Sequence, residues 1–198
     1  MKKVLLAVAA LMVFPAVARA GIPLAPDVYV VGKIGAAIPN HHDLDGFDNG
    51  LALEATAGWK LLPILAMEGS IGHYGVGTGT YFDPYWGAYG KDDLSATYVQ
   101  GSVKVIAPLP KIDLYALAGL GVYFVSVEGH GTDAAGYWSY SDDDTTLGVH
   151  LGVGATLHLN SLVTLGAEAK FVAANANLGG VDTRIDSALV SATLGLAF

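Results

Sequence analysis

The residues best suited to hold a metal stand in one polar segment, where aspartates occur at positions 43, 45 and 48. Carboxylates at alternating positions of a loop supply the oxygen ligands that calcium prefers, and this segment resembles the opening of a calcium-binding loop. Asp43, Asp45 and Asp48 are therefore weak metal candidates, and a divalent cation bridging them to phosphates stays an alternative to a simply solvated loop. The sequence has no cysteine, which excludes disulfides and thiolate metal sites. We predict no cofactor.

Charged residues of both signs also stand singly inside otherwise apolar segments. They are Lys33, Glu54, Glu68, Lys104, Glu168 and Lys170. An isolated charge in apolar surroundings is very costly, so each of these residues needs a partner of opposite sign. We predict that they meet in one buried ion-pair network with a structural role, in preference to a catalytic or ion-conducting one.

The elements that carry these charges follow an N-terminal export signal. Two lysines at positions 2 and 3 precede an apolar stretch, and Ala18-Arg19-Ala20 has the small residues of a cleavage site. We predict a signal peptide over 1–20 and one domain over 21–198. Removing the signal takes away three of the ten basic residues and none of the eighteen acidic ones, which leaves a net charge of −11. This charge argues against nucleic-acid binding.

Eight later segments alternate apolar and polar residues with the period of two that is typical of β-strands. They lie at residues 28–38, 51–60, 65–71, 99–105, 114–124, 147–158, 163–171 and 188–198. None has a formal charge in the middle of its apolar face, and charged residues form only 14% of the chain, against about a quarter in a soluble domain. A membrane-embedded barrel therefore fits better than a soluble β-sandwich, which would need charges on its outer faces.

The connections between these segments alternate in length. The links at 62–63, 107–113 and 160–161 are short, whereas those at 40–50, 76–93, 129–145 and 173–182 are long and polar. Short turns on one side and long loops on the other are typical of outer-membrane barrels. We predict an all-β fold, an eight-stranded antiparallel transmembrane up-and-down β-barrel with four extracellular loops and both termini in the periplasm.

The last segment carries the most specific signal. Leu194, Leu196 and Phe198 share one face of Ser-Ala-Thr-Leu-Gly-Leu-Ala-Phe and resemble the strand that the barrel-assembly machinery recognises. With Tyr115–Val122 and Gly148–Phe171, the chain is similar to the small outer-membrane barrel-domain superfamily that includes OmpA, OmpX and opacity-type proteins. The resemblance implies a location in the cell outer membrane, with lipid, lipopolysaccharide and the assembly machinery as partners. We expect a monomer.

Aromatic residues in two of the long connections are candidates for binding a surface ligand. Tyr81 and Trp86 lie in the second connection, and Tyr137 and Trp138 lie in the third. Such side chains stack on sugars or protein partners, but they also form the aromatic girdle at the membrane interface. The girdle is the simpler interpretation.

Three functions stay open for such a barrel. Lipid A deacylases of this shape carry a His and a Ser two residues apart on one strand, whereas Gly152 follows His150 at that spacing and Asn160 follows His158. An OmpW-like conduit for small apolar molecules needs an apolar upper lumen, and the lysines and glutamates at mid-depth argue against it. We expect a non-enzymatic surface protein with a polar, plugged lumen, which contributes to envelope integrity or binds surface ligands through its loops.

Overall fold

The computed structural model describes residues 28–40, 44, 47–83, 88–133, 136–178 and 180–198, so the predicted signal peptide lies outside the described residues. Nine β-strands occur within these ranges. They are β1 (Val28–Pro39), β2 (Gly50–Leu62), β3 (Leu65–Asp83), β4 (Ala88–Pro108), β5 (Ile112–Asp133), β6 (Gly136–His158), β7 (Val163–Leu178), β8 (Val181–Arg184) and β9 (Ser187–Ala197). No helix in this part of the chain is long and apolar enough to cross a membrane.

Eight of the strands close into an antiparallel ring. Consecutive strands pair from β1 to β7, β7 pairs with β9, and β9 returns to β1. The short β8 pairs with β7 at the end of the last connection. Closure gives every barrel strand a neighbour on both sides, so the backbone groups of the wall are paired within the protein, as a bilayer requires. The prediction of an eight-stranded up-and-down barrel is confirmed.

Side chains of successive residues point to opposite sides of this wall. Leu120 on β5 and Leu147 on β6 lie outside and are 68% and 76% exposed, whereas Tyr98 and Tyr123 are buried inside. The exposed residues of the wall are mainly leucine, isoleucine, valine and alanine. The apolar face that the sequence alternation predicts is therefore the outer face, which suits contact with lipid.

The two ends of the barrel differ in length. The short connections lie at one end, which we call the turn end, and the hairpins β3–β4 and β5–β6 continue at the other, the hairpin end. Strands β4, β5 and β6 have 21, 22 and 23 residues, whereas about ten suffice to cross a bilayer. The part of the wall beyond the bilayer is a projecting sheet formed by residues 75–83, 88–96, 125–133 and 136–147.

The prediction of long loops over 76–93 and 129–145 is therefore wrong. Val76 lies opposite Leu94, and Tyr89 lies opposite Thr132, so that these segments are paired strands. The sequence alternation is lost there because both faces of a hairpin in water can be polar, although the backbone pairing continues. Much of 173–182 is also a hairpin, in which Gly180 turns the chain with a φ of +81°.

The core of the protein is the interior of the barrel. Toward the hairpin end lies an apolar cluster around Tyr74, Tyr98 and Tyr123, whose ring centres are 6.0 and 5.5 Å apart in succession. Leu44, from the connection between β1 and β2, is buried in the same cluster. The charged residues come next along the barrel axis, and a cavity of about 280 Å³ follows at the turn end.

Candidate functional site

The charged residues of the interior come from five strands of the barrel. Lys33 of β1 is the cross-strand partner of Glu54 of β2. Glu168 and Lys170 stand two positions apart on β7, and their side chains therefore point to the same side of the wall. The structure buries all the residues predicted for the ion-pair network inside the barrel, including Glu68 of β3 and Lys104 of β4.

Four of these charges form a compact cluster. The Lys33 ammonium lies 2.7 Å from both carboxylate oxygens of Glu168 and 2.9 Å from Oε1 of Glu54. Lys170 donates to Oε2 of the same glutamate. Positive and negative groups therefore alternate in the order Glu168, Lys33, Glu54, Lys170, and the cluster carries no net charge.

Glu54 is the most heavily bonded member of the cluster. Besides the two lysines, its carboxylate accepts hydrogen bonds from the Tyr98 hydroxyl at 2.5 Å, the Thr56 hydroxyl at 3.0 Å and the Gln100 amide at 3.3 Å. A buried ion pair offsets its desolvation only when the remaining lone pairs are also hydrogen-bonded. Glu54 meets that condition at both oxygens.

Lys104 and Glu68 form a separate pair nearer the turn end. The Lys104 ammonium lies 2.8 Å from Oε1 of Glu68, and the same oxygen accepts the Tyr29 hydroxyl at 2.7 Å. The ammonium also lies 3.7 Å from the centre of the Tyr115 ring, whose hydroxyl donates to Glu168 at 3.0 Å. The charges thus form two groups bridged by a tyrosine, in place of the single directly connected network that we expected.

Tyrosines to which the sequence analysis gave no role complete the site. Tyr29, Tyr98 and Tyr115 each donate to a different glutamate. Their rings fit across the lumen because a glycine stands opposite on the neighbouring strand: a Cβ on Gly72 would lie 2.4 Å from the Tyr98 ring, and one on Gly154 would lie 2.4 Å from the Tyr115 ring. Such glycine and tyrosine pairs are a sequence signal, but reading it requires the strand register.

A histidine contact between strands was also missed. Nε2 of His150 on β6 lies 2.7 Å from Oγ of Ser102 on β4. A histidine that activates a serine is normally oriented by a carboxylate on its other nitrogen, yet Nδ1 of His150 has no hydrogen-bond partner among the described residues. The histidine is 1% exposed, so this contact lacks both the orienting group and access for a substrate.

The cavity at the turn end is bounded on one side by the ion pairs. Its lining includes Lys33, Glu68, Lys104 and Glu168 but none of the residues of the apolar cluster at the hairpin end. A volume of about 280 Å³ has room for several water molecules. Water that enters the cavity from the turn end can therefore reach the ion-paired residues that line it, but the cavity does not continue into the apolar cluster.

A second charged contact lies near the turn-end opening of this cavity. Asp113 of β5 is approached by Nε2 of His158 at 2.9 Å and by the Lys60 ammonium at 3.9 Å. These side chains are only partly buried, and water weakens the attraction between them.

The predicted surface-binding aromatics lie at the hairpin end. Tyr137 is 71% exposed, and the Trp138 ring stacks on Tyr140 with ring centres 5.9 Å apart. Tyr81 lies on β3 near its end, and Trp86 lies outside the described residues. Tyr137 stands ten positions along β6 from Leu147, which is roughly 30 Å of strand. The girdle interpretation of Tyr137 and Trp138 stays a prediction.

Of the weak metal candidates, Asp43 and Asp45 lie outside the described residues, and Asp48 lies against Gly77 of β3. Within the described ranges, no group of three histidine or acidic side chains has an arrangement that could hold a metal ion. The structure thus gives no second ligand set to add to Asp48.

The residues of the predicted assembly signal lie on the strand that closes the ring. Leu194 and Leu196 of β9 stand opposite Gly32 and Val30 of β1 and are exposed on the outer face, and Phe198 is exposed at the turn end, where it borders the cavity. The amide of Phe198 donates to the carbonyl of Val28 at 2.8 Å. Recognition of this strand by the assembly machinery stays a prediction.

Comparison with known proteins agrees with this architecture. Residues 6–198 match the family model described as outer membrane protein beta-barrel domain. The fold resembles Neisserial surface protein A, with a TM-score of 0.63 and 17% identity over 86% of this chain and 97% of the other. It also resembles the attachment invasion locus protein Ail of Yersinia pestis, with a TM-score of 0.53 and 13% identity over 87% and 99%. None of the curated proteins matches the sequence.

Proposed function

Because this chain belongs to the outer membrane protein β-barrel domain family and is thus an integral protein of the outer membrane, we propose that it is a non-conducting, non-enzymatic barrel. In this proposal the barrel anchors the projecting sheet at the cell surface. The sheet makes the contacts with ligands or neighbouring surfaces, and the filled barrel contributes to the integrity of the envelope.

The observation that carries the proposal is the occupation of the lumen by two consecutive layers of side chains. The tyrosines of the apolar cluster, Tyr74, Tyr98 and Tyr123, are at most 1% exposed. The ion-paired cluster of Lys33 and Glu54 lies directly beneath them. Steady passage of solutes requires a continuous wet path, and the cavity at the turn end ends at these charges.

The length of the projecting sheet supports a role outside the membrane. Its strands β4, β5 and β6 reach beyond the bilayer by about as many residues as cross it. A barrel that served only as a membrane anchor would not need paired strands of this length. Elements that stand beyond the lipid are accessible to soluble partners and to other cells.

The environment of Ser102 and His150 supports the absence of catalysis. They form a serine–histidine contact inside the lumen, but both are buried and His150 lacks an orienting carboxylate among the described residues. A lipid substrate would have to reach this contact through the wall or through the apolar cluster. We therefore treat the contact as a hydrogen bond that stabilises the packing of β4 and β6.

Single-channel recording of the refolded protein in planar bilayers tests the proposal. We expect no steady conductance above that of the lipid alone. A double change of Tyr98 and Tyr123 to Ala, which removes two rings from the apolar cluster, should raise the conductance, and the outer-face change Val99→Ala should not. Steady conductance steps from the unmodified barrel would overturn the proposal and favour the conduit for small apolar molecules.

A further inference from the structure

Two aromatic side chains lie on the inner face of the projecting sheet, the face that continues the lumen side of the barrel wall. Val127 of β5 is buried on this face. The next two inner positions of β5, farther from the membrane, are Gly129 and Gly131. They stand opposite Tyr140 and Trp138 of β6. Both aromatic side chains therefore share the inner face, because residues directly opposite each other on antiparallel strands point to the same side.

The two glycines give these rings room to lie across β5. A Cβ on Gly129 would lie 2.2 Å from the Tyr140 ring, and a Cβ on Gly131 would lie 2.4 Å from the Trp138 ring. The two rings are within 16° of parallel, and their centres are 5.9 Å apart. Tyr140 is 47% exposed, and Trp138 is half-buried. The pair therefore forms an aromatic surface above the backbone of β5.

A carboxylate stands beside this aromatic surface. Asp92 of β4 lies opposite Gly129, so that Asp92, Gly129 and Tyr140 form one row across three strands. The Tyr140 hydroxyl donates to Oδ1 of Asp92 at 3.0 Å. The other oxygen of that carboxylate, Oδ2, accepts no hydrogen bond within the described part of the chain. A ligand that contacts the rings therefore finds a hydrogen-bond acceptor next to them.

We propose that this surface binds an uncharged glycan, with a sugar ring stacked on Tyr140 and Trp138 and a sugar hydroxyl donating to Asp92. The C–H groups on the face of a sugar ring carry partial positive charge, and the face of an aromatic ring is negative, so the two surfaces attract each other. Ligand sites commonly combine aromatic side chains with a few polar groups that fix the orientation of the ligand. The inference rests on the proposed surface role of the sheet and names the class of ligand that it would bind.

The charge of the inner face selects against anionic glycans. Asp142 and Asp144 follow Tyr140 on the same face of β6, and the Asp144 carboxylate accepts the Asn177 amide at 2.6 Å. With Asp92, this gives three carboxylates. Within the described strands of the projecting sheet, no lysine or arginine stands on the inner face. Bringing like charges together is costly, so sulfated or phosphorylated sugars should be repelled.

The aromatic surface also lies away from the membrane. Tyr140 stands seven positions along β6 from Leu147, the most exposed apolar residue of the outer face, which is roughly 23 Å of strand. A lipid headgroup next to the barrel wall would not reach it. The ligand is therefore a glycan presented from outside the membrane.

Labelled oligosaccharides test the proposal. The probes are two uncharged hexasaccharides, maltohexaose and chitohexaose, and a sulfated heparin hexasaccharide, each with a fluorophore at the reducing end. Binding to the full-length protein in phosphatidylcholine nanodiscs is followed by fluorescence anisotropy, with empty nanodiscs as the blank. We expect at least one uncharged hexasaccharide to bind and the heparin hexasaccharide to bind more weakly than either uncharged one or not at all.

Variants locate the binding. Trp138→Ala and Tyr140→Ala each remove one ring and should weaken binding by about two- to tenfold, as expected for a single aromatic contact. Asp92→Ala, which removes the acceptor, should also weaken it. Tyr137→Ala is the matched control, because Tyr137 is 71% exposed on the opposite face of the same strand, and it should leave binding unchanged. The migration of unboiled samples on a gel checks that each variant is folded.

Three outcomes would overturn the inference while leaving the non-conducting barrel untouched, since conductance is measured separately. Absence of binding by both uncharged hexasaccharides would mean that the aromatic surface is not a glycan site. Tighter binding of the heparin hexasaccharide would mean that the carboxylates do not select. An equal loss of binding in Tyr137→Ala and Tyr140→Ala would mean that the glycan does not bind on the inner face.

Discussion

Glu54 and Glu68 carry the same charge on neighbouring strands, yet their surroundings differ. Glu54 is shared by Lys33 and Lys170 and accepts three further hydrogen bonds from neutral groups. Glu68 has one lysine and one tyrosine on a single oxygen and borders the cavity at the turn end. At the residue scale, the cost of losing a buried charge should follow how many opposite charges lose a contact and whether water can reach those charges.

Glu54→Ala should therefore be the most damaging single change among the inner glutamates. It leaves the buried Lys170 ammonium without its carboxylate and takes one of two carboxylates from Lys33, and removing one partner of a buried pair typically costs about 3 to 5 kcal/mol. We expect the free energy of unfolding, measured by urea titration of the refolded barrel in detergent or lipid, to fall by about that amount. Glu68→Ala should cost less, because only Lys104 loses its partner and the cavity gives that ammonium access to water.

An exposed glutamate serves as the control for this series. Glu128→Ala, on the projecting sheet, should change the free energy of unfolding by no more than about 0.5 kcal/mol. Combining Glu54→Gln with Lys170→Met removes both charges and should recover part of the loss. If Glu54→Ala unfolded at the same urea concentration as the unmodified protein, the ion pairs would contribute nothing to the stability of the barrel.

At the scale of elements, a long strand has one continuous backbone but two parts with different surroundings, one in the barrel wall and one in the projecting sheet. The same β5 faces the lumen and the outer surface along Ile112–Phe124 and continues as part of the projecting sheet to Asp133. In the first part the outer face must be apolar, because charges there lose their hydration. In the second part the inner face stays buried at Val125 and Val127, whereas the outer face carries polar residues such as Glu128.

Leu120→Arg tests the outer face of β5. Leu120 is 68% exposed near the middle of the apolar part of the strand, where a cation facing lipid costs about 2 to 4 kcal/mol. We expect a matching drop in unfolding free energy and a lower yield of folded barrel on refolding into lipid vesicles. Thr156→Arg, which faces the cavity on β6, should cost clearly less, and equal losses at the two sites would contradict the assignment of the faces.

Shortening the β5–β6 hairpin tests whether the barrel wall folds without the projecting part of these strands. Deleting residues 129–140 and joining the ends with a short turn removes most of the hairpin beyond the bilayer but keeps the pairing from Val122 opposite Leu147 to Ile112 opposite Leu157. The barrel should still refold, with an unfolding midpoint in urea close to that of the full hairpin. Failure to refold would show that the projecting sheet is needed for the barrel itself.

At the scale of the whole molecule, the closed ring accounts for the stability of the fold in lipid. Every strand of the barrel wall is paired on both sides, so opening it requires breaking many backbone hydrogen bonds that detergent cannot replace. The lumen adds paired charges that hold β1, β2 and β7 to one another across the barrel.

Heat-modifiable migration follows from this closure. The unboiled protein should stay folded in dodecyl sulfate and migrate differently from the boiled protein on a gel. Glu54→Ala should lower the temperature at which the folded band is lost, while Glu128→Ala should leave that temperature unchanged. Identical migration of boiled and unboiled samples, with solubility in the absence of detergent, would contradict a closed membrane barrel.

Much of this fold follows from local sequence patterns. A period of two in residues such as Leu114, Leu120 and Phe124 identifies a strand and its apolar face, because successive side chains of a strand point to opposite sides. The same period places Lys33 and Glu54 on the inner face before any partner is known. The short and long connections then give the topology. The number of strands and the family resemblance could therefore be predicted from the sequence, and both are confirmed.

Only the tertiary structure decided which residues meet. Lys33 and Glu168 are 135 positions apart, and their pairing depends on ring closure and on a register that no local pattern encodes. The fit of Tyr98 over Gly72 depends on the same register. The projecting sheet was missed because hairpins in water need no apolar face, so the signal that identifies strands in the membrane disappears although the hydrogen bonds continue. The sequence alone thus determined which face of each strand meets lipid, whereas the structure decided the partners in the lumen.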